Sequence, residues 1–392
     1  MSKFQILLHE PSFNDADICA VVEALKSSWV STGGPDIDAF EKEMAAFVGS
    51  RYAVAVANGT VALQLMIEVL RRQLEVTGPF EILVPTLSFA ATGNAVVHAG
   101  GIPIFMDVAP KSLNVSGAAV SDFVQRFYTF AQDNWISKFS GRRLLAVMPA
   151  HLMGWMPNLK SLTETTQDLQ LPMLEDSAEA LGVCAVSERK HAGTYGLAGG
   201  FSFNGNKILT TGGGGMVVTN DESFARRIKH LSTTARIDGV NYVHDEIGYN
   251  FRLVNLLAAL GRAQLARLPA LIEKKRILSE TYRAMLADCG LLVHQESGCH
   301  SNHWLTNVIF SDFAERQRVL RRLNESGIQA RPLWELMHRQ PSFAKFSQPN
   351  SEFPNAQWAW ERFLSLPSSA HLKTEAIETI VNLIRTERGE NR

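Results

Sequence analysis

The stretch Gly200-Phe201-Ser202-Phe203-Asn204-Gly205-Asn206-Lys207-Ile208-Leu209-Thr210-Thr211 runs into four glycines at 212–215 and then into Met216-Val217-Val218-Thr219. A short apolar run enters it and a β-rich run leaves it. The pattern predicts two strands joined by a loop that carries one lysine. Small, polar and glycine residues flank Lys207. The glycines open backbone angles closed to other residues and let a flat ligand come close. Two readings of Lys207 are open at this point. It is an amine that forms an imine with an aldehyde cofactor, or a solvated lysine on a glycine-rich hairpin. A phosphate-binding P-loop fits poorly, because there the lysine follows the glycines and opens a helix.

Upstream of this stretch, strand patterns alternate with helix patterns. Strand-like runs occur at 52–57, 81–85, 102–108, 144–149 and 171–176, with 199–203 and 215–219 completing the set around Lys207. Helical periodicity is read over 14–28, 36–48, 61–71, 118–140 and 222–235. Such alternation implies an α/β fold with a large, mostly parallel sheet and helices on both faces. A helix over 253–275, broken at Pro269, leads into shorter strand and helix patterns at 291–294, 304–310, 313–326 and 374–386. The change of pattern divides the chain into a large domain over 1–255 and a smaller α+β domain over 256–392.

Bulk properties exclude several classes. The chain has 392 residues and a formal net charge of −1, so there is no broad electrostatic case for nucleic acid or an anionic membrane. No apolar run reaches membrane-spanning length, and the start at Met1 lacks the apolar run of a signal peptide. Cys19, Cys184, Cys289 and Cys299 show no zinc-site spacing and read as reduced thiols. The expectation is a cytoplasmic protein without a structural metal.

Weak local signals become informative together. A cofactor such as pyridoxal phosphate needs an amine, a carboxylate for its pyridine nitrogen, an anion cradle for its phosphate and a flat partner for its ring. Lys207 offers the first. Asp176, ending a strand where α/β sheets bind ligands, offers the second. The Asn58-Gly59-Thr60 turn, between a strand and a helix, together with Ser202, offers the third. Phe89, at the mouth of the 81–85 strand, offers the fourth. Each also has a plain reading: Phe89 as core, Glu175-Asp176 as a helix cap, the glycine turn as one of several in any α/β protein.

With those residues in hand the chain resembles the nucleotide-sugar aminotransferases, a branch of the fold-type-I pyridoxal phosphate enzymes. The likeness is carried by Ser31 to Pro35, Asn58-Gly59-Thr60, Pro85 to Thr92, Glu175 to Gly182, Ser202 to Lys207, Gly248 to Arg252 and Leu364 to Pro367. The resemblance implies an aspartate-aminotransferase-like fold with a seven-stranded sheet. It implies that Lys207 is the Schiff-base lysine and proton shuttle, and that Asp176 pairs with the pyridine nitrogen. Gly59, Thr60 and Ser202 would hold the phosphate, and Phe89 would stack on the ring. Asn250 would reach the phosphate from the neighbouring subunit of a homodimer with shared sites. Glu179 stands near the cofactor's 3′-oxygen, where many relatives carry Gln or His, and Gly213 replaces a common glutamate.

The pairing of Asn204-Gly205-Asn206-Lys207 with Thr210-Thr211 and the glycine run is similar to C4-aminotransferases of bacillosamine and legionaminic acid type pathways, which serve surface polysaccharides. That likeness implies L-glutamate as donor and a UDP-2-acetamido-2,6-dideoxy-4-keto hexose as acceptor. Candidate sugar-pocket residues are Trp29, Thr32, His244, Arg331, Trp334 and His338, each with a packing or surface role as the alternative. C3 amination, or dehydration of a different nucleotide keto sugar, are the rival activities. The dehydratases carry histidine in place of the lysine, which Lys207 opposes.

Overall fold

A computed structural model describes residues 4–346, 348–350 and 352–389. One sheet dominates. Its strands lie in the order Ile102–Met106, Phe80–Pro85, Arg143–Val147, Leu174–Asp176, Ala198–Ser202, Gly215–Thr219 and Tyr52–Val56. The centre is closed by parallel bridges between Val147 and Met173 and between Ala150 and Asp176. All seven run parallel except Gly215–Thr219, which is antiparallel to both neighbours. Because that strand points backwards, its first residue, Gly215, sits at the same edge as the last residues of the others. Gly215 pairs with Ser202 on one side and Val56 on the other.

The strands read as continuous apolar runs because helices cover both faces; every residue of Phe80–Pro85 is buried. The Gly59–Gln73 helix buries Ala62, Leu65, Met66, Ile67 and Val69, and the Asn58 side chain caps it by accepting from the Val61 N–H at 2.9 Å. This is the seven-stranded α/β sheet that the resemblance implies.

Two expected helices differ. The one expected over 118–140 ends at Phe127 and gives way to an antiparallel hairpin, Tyr128–Ala131 against Asn134–Ser137. Alternating aromatic and β-branched residues favour strand there. Gln132 and Asp133 turn the chain with positive φ, and the Tyr128 hydroxyl donates to buried Glu81 at 2.8 Å. The break expected at Pro269 does not occur: one helix spans Asn255–Ala287. Burial of Leu265 and Leu268 on one half and Leu278, Tyr282 and Leu286 on the other outweighs the roughly 3 kcal/mol that an interior proline costs.

A second antiparallel sheet, ordered Leu292–Val293, Thr306–Ile309, Phe363–Leu366, Arg331–Pro332, has its own core with the helices Phe313–Glu325 and Thr374–Glu387. The split at 255/256 is not a clean division of cores. Cys299, Trp304, Leu305, Leu333 and Phe363 pack into the core of the main sheet. The N-terminal segment is tied to the smaller sheet, with the Gln329 N–H donating to the Ile6 carbonyl and the Ser368 N–H to the Leu8 carbonyl. The four cysteines are unpaired. Among the described residues no helix is long and apolar enough to cross a membrane.

Candidate active site

The carboxyl ends of the parallel strands deliver one group after another to a cavity of about 640 Å³, a size suited to a small-molecule site. After Tyr52–Val56 come Gly59 and Thr60, after Phe80–Pro85 come Ser88 and Phe89, and after Arg143–Val147 comes His151. Asp176 and Ser202 end their own strands, and Lys207 lies in the loop between Ser202 and Gly215.

That loop is a hairpin connection, and its lysine is not solvated. Phe203, Ile208 and Leu209 are buried and anchor it, with the Phe203 ring 5.3 Å from that of Phe40. The Lys207 side chain is only 12% exposed, and its Nζ lies 3.4 Å from Glu179 Oε1 and 4.3 Å from the centre of the Trp304 ring. A held amine, not a solvated one, is therefore the reading that the geometry favours.

Three carboxyls behind it differ in environment. Burial pushes Glu175 up, but His151 at 2.9 Å and the N–H groups of Gly193, Tyr195 and Gly196 outweigh it. The group is held below the usual carboxylate range. Burial also pushes Asp176 up. The Thr92 hydroxyl at 2.7 Å and the Ala178 N–H at 3.2 Å oppose this only in part, and the carboxyl ends above its ordinary value. Glu179 is likewise raised by burial, against the pull of Lys207 and of the Met153 N–H at 2.9 Å. Asp176 and Glu179 are buried acids that lack the full set of donors Glu175 enjoys.

The residues fit pyridoxal phosphate. The first turn of the Gly59–Gln73 helix leaves N–H groups without intrahelical acceptors, an anion site by construction. A Cβ on Gly59 would lie 2.7 Å from Ser202 Cβ, so the two residues form a cradle that admits only glycine. Among the described residues no cation forms an ion pair with Asp176, and a protonated pyridine nitrogen would be one. Phe89 is 54% exposed and lines the cavity, with Trp334 at 6.0 Å as its aromatic neighbour.

Of the residues singled out in the sequence, Gly59, Thr60, Phe89, Asp176, Glu179, Ser202, Lys207, Arg331 and Trp334 line this cavity. Trp29, Thr32, His244, His338 and Asn250 do not. Trp29 is exposed and its carbonyl accepts from Asn255 Nδ2 at 2.9 Å, which ties the loop holding Thr32 to the long helix. His244 sits in an exposed hairpin and bonds the Thr234 carbonyl at 2.7 Å. His338 braces the sheet instead. It bonds Thr86 Oγ1 at 2.6 Å and stacks on Phe353 at 4.2 Å, and burial pushes its imidazole down to about 4. Asn250 is exposed, with Arg252 donating to it at 3.2 Å. Thr92, His151 and Trp304 escaped the sequence reading. His151 could have been found by its place just past a strand; Trp304 lies in a run that reads as core.

Comparison with known proteins agrees with the geometry. Over 383 residues the chain is 34% identical to the GDP-perosamine synthase of Vibrio cholerae, covering 97% of this chain and 98% of that one. It is 30% identical to the UDP-N-acetyl-3-dehydro-alpha-D-glucosamine 3-aminotransferase of Acidithiobacillus ferrooxidans, covering 88% and 87%. The crystal structure of the aminotransferase TlmJ from Streptoalloteichus hindustanus superposes with a TM-score of 0.86 at 27% identity, over 98% of this chain and 99% of that one. The model of the DegT/DnrJ/EryC1/StrS aminotransferase family matches residues 11–385. A lysine, an acid and a glycine cradle on one sheet edge thus have their explanation: the chain belongs to that family, the pyridoxal phosphate-dependent sugar aminotransferases of nucleotide-sugar pathways.

Proposed function

We propose that the chain moves the amino group of L-glutamate onto the 4-keto carbon of a nucleotide-linked hexose, a UDP-2-acetamido-2,6-dideoxy-4-keto sugar. The observation that carries the reading is the buried Lys207 amine, within reach of Glu179 and in one cavity with Asp176. The choice of carbon rests on the likeness of the Asn204–Lys207 and Thr210–Gly215 runs to C4-aminotransferases. The 3-aminotransferase among the relatives makes C3 amination the second reading.

When bound, pyridoxal phosphate supplies the aldehyde that takes up the amino group and the ring that accepts the electron pair left on the donor carbon. Lys207 Nζ takes the proton from that carbon and returns it on the other side of the transfer, then reverses the path for the sugar. Asp176 would favour a proton on the ring nitrogen. Gly59, Thr60 and Ser202 would hold the phosphate, and Phe89 would pack on the ring. Glu179 lies beside the amine and orients it. Arg331, an exposed guanidinium on the cavity wall, is placed to meet the diphosphate or the donor carboxylate.

The working unit in this reading is a homodimer in which Asn250 completes the partner's phosphate site. The hairpin around Arg236–His244 supports it. Ile237, Val240, Tyr242 and Ile247 are 62%, 85%, 69% and 84% exposed, a large apolar arm for a chain standing alone.

The test is spectroscopic. Cofactor-loaded protein should lose its imine absorbance on addition of L-glutamate and regain it on addition of the 4-keto sugar. Lys207→Ala should lack both the band and turnover. Regeneration by a 3-keto sugar alone would replace C4 by C3, and full turnover in Lys207→Ala would end the transaminase reading.

A further inference from the structure

Trp304 belongs to the C-terminal part of the chain, yet its indole lies against the lysine of the main-sheet loop. It is 3% exposed. The indole N–H donates to the carbonyl of Asn206, the residue directly before Lys207, at 2.6 Å. Its ring face meets Lys207 Nζ at 4.3 Å, within the range of a cation–π contact. A tryptophan that merely filled the core would need some acceptor for its N–H, but not this one, and it would have no reason to turn its face to the amine.

The residues before Trp304 fix that position. The Trp304 N–H donates to Asn302 Oδ1 at 2.9 Å, while Asn302 Nδ2 donates to the backbone carbonyls of Glu179 and Leu181, each at 2.9 Å. Ser301 Oγ donates to the Gly154 carbonyl at 2.6 Å, and Cys299 and His300 pair with Ala185 and Cys184. The packing leaves no slack: a Cβ on Gly154 would lie 2.1 Å from Asn302 Oδ1. On the far side, buried Lys275 donates to the Trp304 carbonyl at 2.8 Å. Asn302 therefore holds the backbone of Glu179 with one end and that of Trp304 with the other. Both of these residues touch the Lys207 amine.

We propose that Trp304 is a positioning residue for Lys207. Its ring face and the Glu179 carboxylate form a two-sided slot for the free amine, and the strap 298–304 sets the width of that slot. The proposal rests on Lys207 being the reacting amine. In the slot, the side chain released from the cofactor stays within reach of the donor carbon instead of sampling the rest of the cavity.

The experiment compares Trp304→Phe, which keeps a ring face and loses the N–H, with Trp304→Leu, which loses both. Trp304→Met, which fills the space without a π face, stands in if the Leu variant is not recovered folded. The readouts are the half-reaction with L-glutamate, followed at the imine band, and the circular dichroism of that band in resting cofactor-loaded protein. Trp304→Leu should load cofactor and retain the imine, yet show weakened dichroism. Its limiting rate should fall about tenfold while its half-saturating glutamate concentration moves less than about threefold. Trp304→Phe should keep at least about a third of the wild-type rate. Wild-type rate and dichroism in the Leu or Met variant would overturn the proposal. So would a Phe variant as slow as the Leu variant, since the role would then lie in the indole N–H. If wild-type protein carries the imine on Lys207 but does not respond to glutamate, the transaminase reading fails by itself. The dichroism of the variants then decides the slot: unchanged, it is refuted; weakened, it stands.

Discussion

Replacing Asp176 by asparagine should stabilise the cofactor-free protein and ruin the enzyme. The side chain is buried at the end of Leu174–Asp176, and its oxygens accept from Thr92 Oγ1 and the Ala178 N–H. An asparagine fits the same network. Its Oδ1 keeps the Ala178 N–H, and its Nδ2 donates to Thr92, whose own proton turns to Ser88 Oγ at 2.7 Å. No buried polar atom is orphaned, while a carboxyl whose charged form burial penalises is removed. Incomplete compensation of such a charge costs on the order of 1–3 kcal/mol. The thermal midpoint of cofactor-free Asp176→Asn should therefore rise by about 1–4 °C near pH 8. The sign with pH follows from the raised carboxyl. Folded Asp176 keeps its proton to higher pH than unfolded Asp176, so wild-type protein gains stability as pH falls toward the ordinary value of 3.8. The variant's advantage should fade there. In the loaded enzyme the opposite holds: losing one partner of a buried, hydrogen-bonded charge pair costs about 2–5 kcal/mol, or on the order of 10² to 10³ in the glutamate half-reaction. Scanning calorimetry of cofactor-free protein and stopped-flow absorbance of loaded protein measure the two effects. A half-reaction within about threefold of wild type, or a cofactor-free variant less stable than wild type, would refute the assignment of Asp176.

Gly59→Ala should leave the fold intact and weaken cofactor binding by about 10- to 100-fold, because the new methyl must displace Ser202 from the cradle at a cost of about 1–3 kcal/mol; titration of cofactor-free protein with pyridoxal phosphate reads it, and an unchanged Kd would show that the phosphate lies elsewhere. Lys275 is fully buried and burial pushes its amine down to about 7. Its folded value lies below its unfolded one, so its contribution to stability improves as pH rises through 7 toward 10. Relative to Lys275→Met, wild type should gain about 2–3 kcal/mol between pH 6.5 and 9, measured by urea unfolding; a pH-independent difference would mean the amine stays charged or stays neutral throughout.

The sheet and the heart of the site were legible for a physical reason. Buried parallel strands read as apolar runs, and the residues just past their ends fall at the ligand edge, so position made Gly59, Phe89, Asp176 and Lys207 candidates for one cavity, which they line, while their roles came only from the resemblance. Helix limits were less legible where competing signals overlapped. The run from Tyr128 to Ile136 has apolar spacing compatible with a helix, and its strand alternation prevails where the hairpin also pairs with Arg143 and Leu144 at the sheet. Residues whose roles depend on distant partners could not be read. Trp304 gains its meaning from Asn206 and Asn302, and His338 loses its expected one because Thr86 and Phe353 claim its ring. The exposed loops with Trp29 and His244 offered polar side chains without any mark of which surface they face.

Glu175 and Asp176 are neighbours on one strand, both buried, and the fold treats them oppositely. Glu175 receives an imidazole and three backbone N–H groups and is held ionised. Asp176 receives one hydroxyl and one N–H, and burial wins. The scaffold is thus able to satisfy a buried carboxylate completely, and it does so one residue away. Among the described residues Asp176 has no charged donor. A protonated pyridine nitrogen would be such a donor. The deficit at Asp176 is therefore an argument for the cofactor independent of any likeness to other proteins, since a carboxyl with only a structural task would have been finished as Glu175 is.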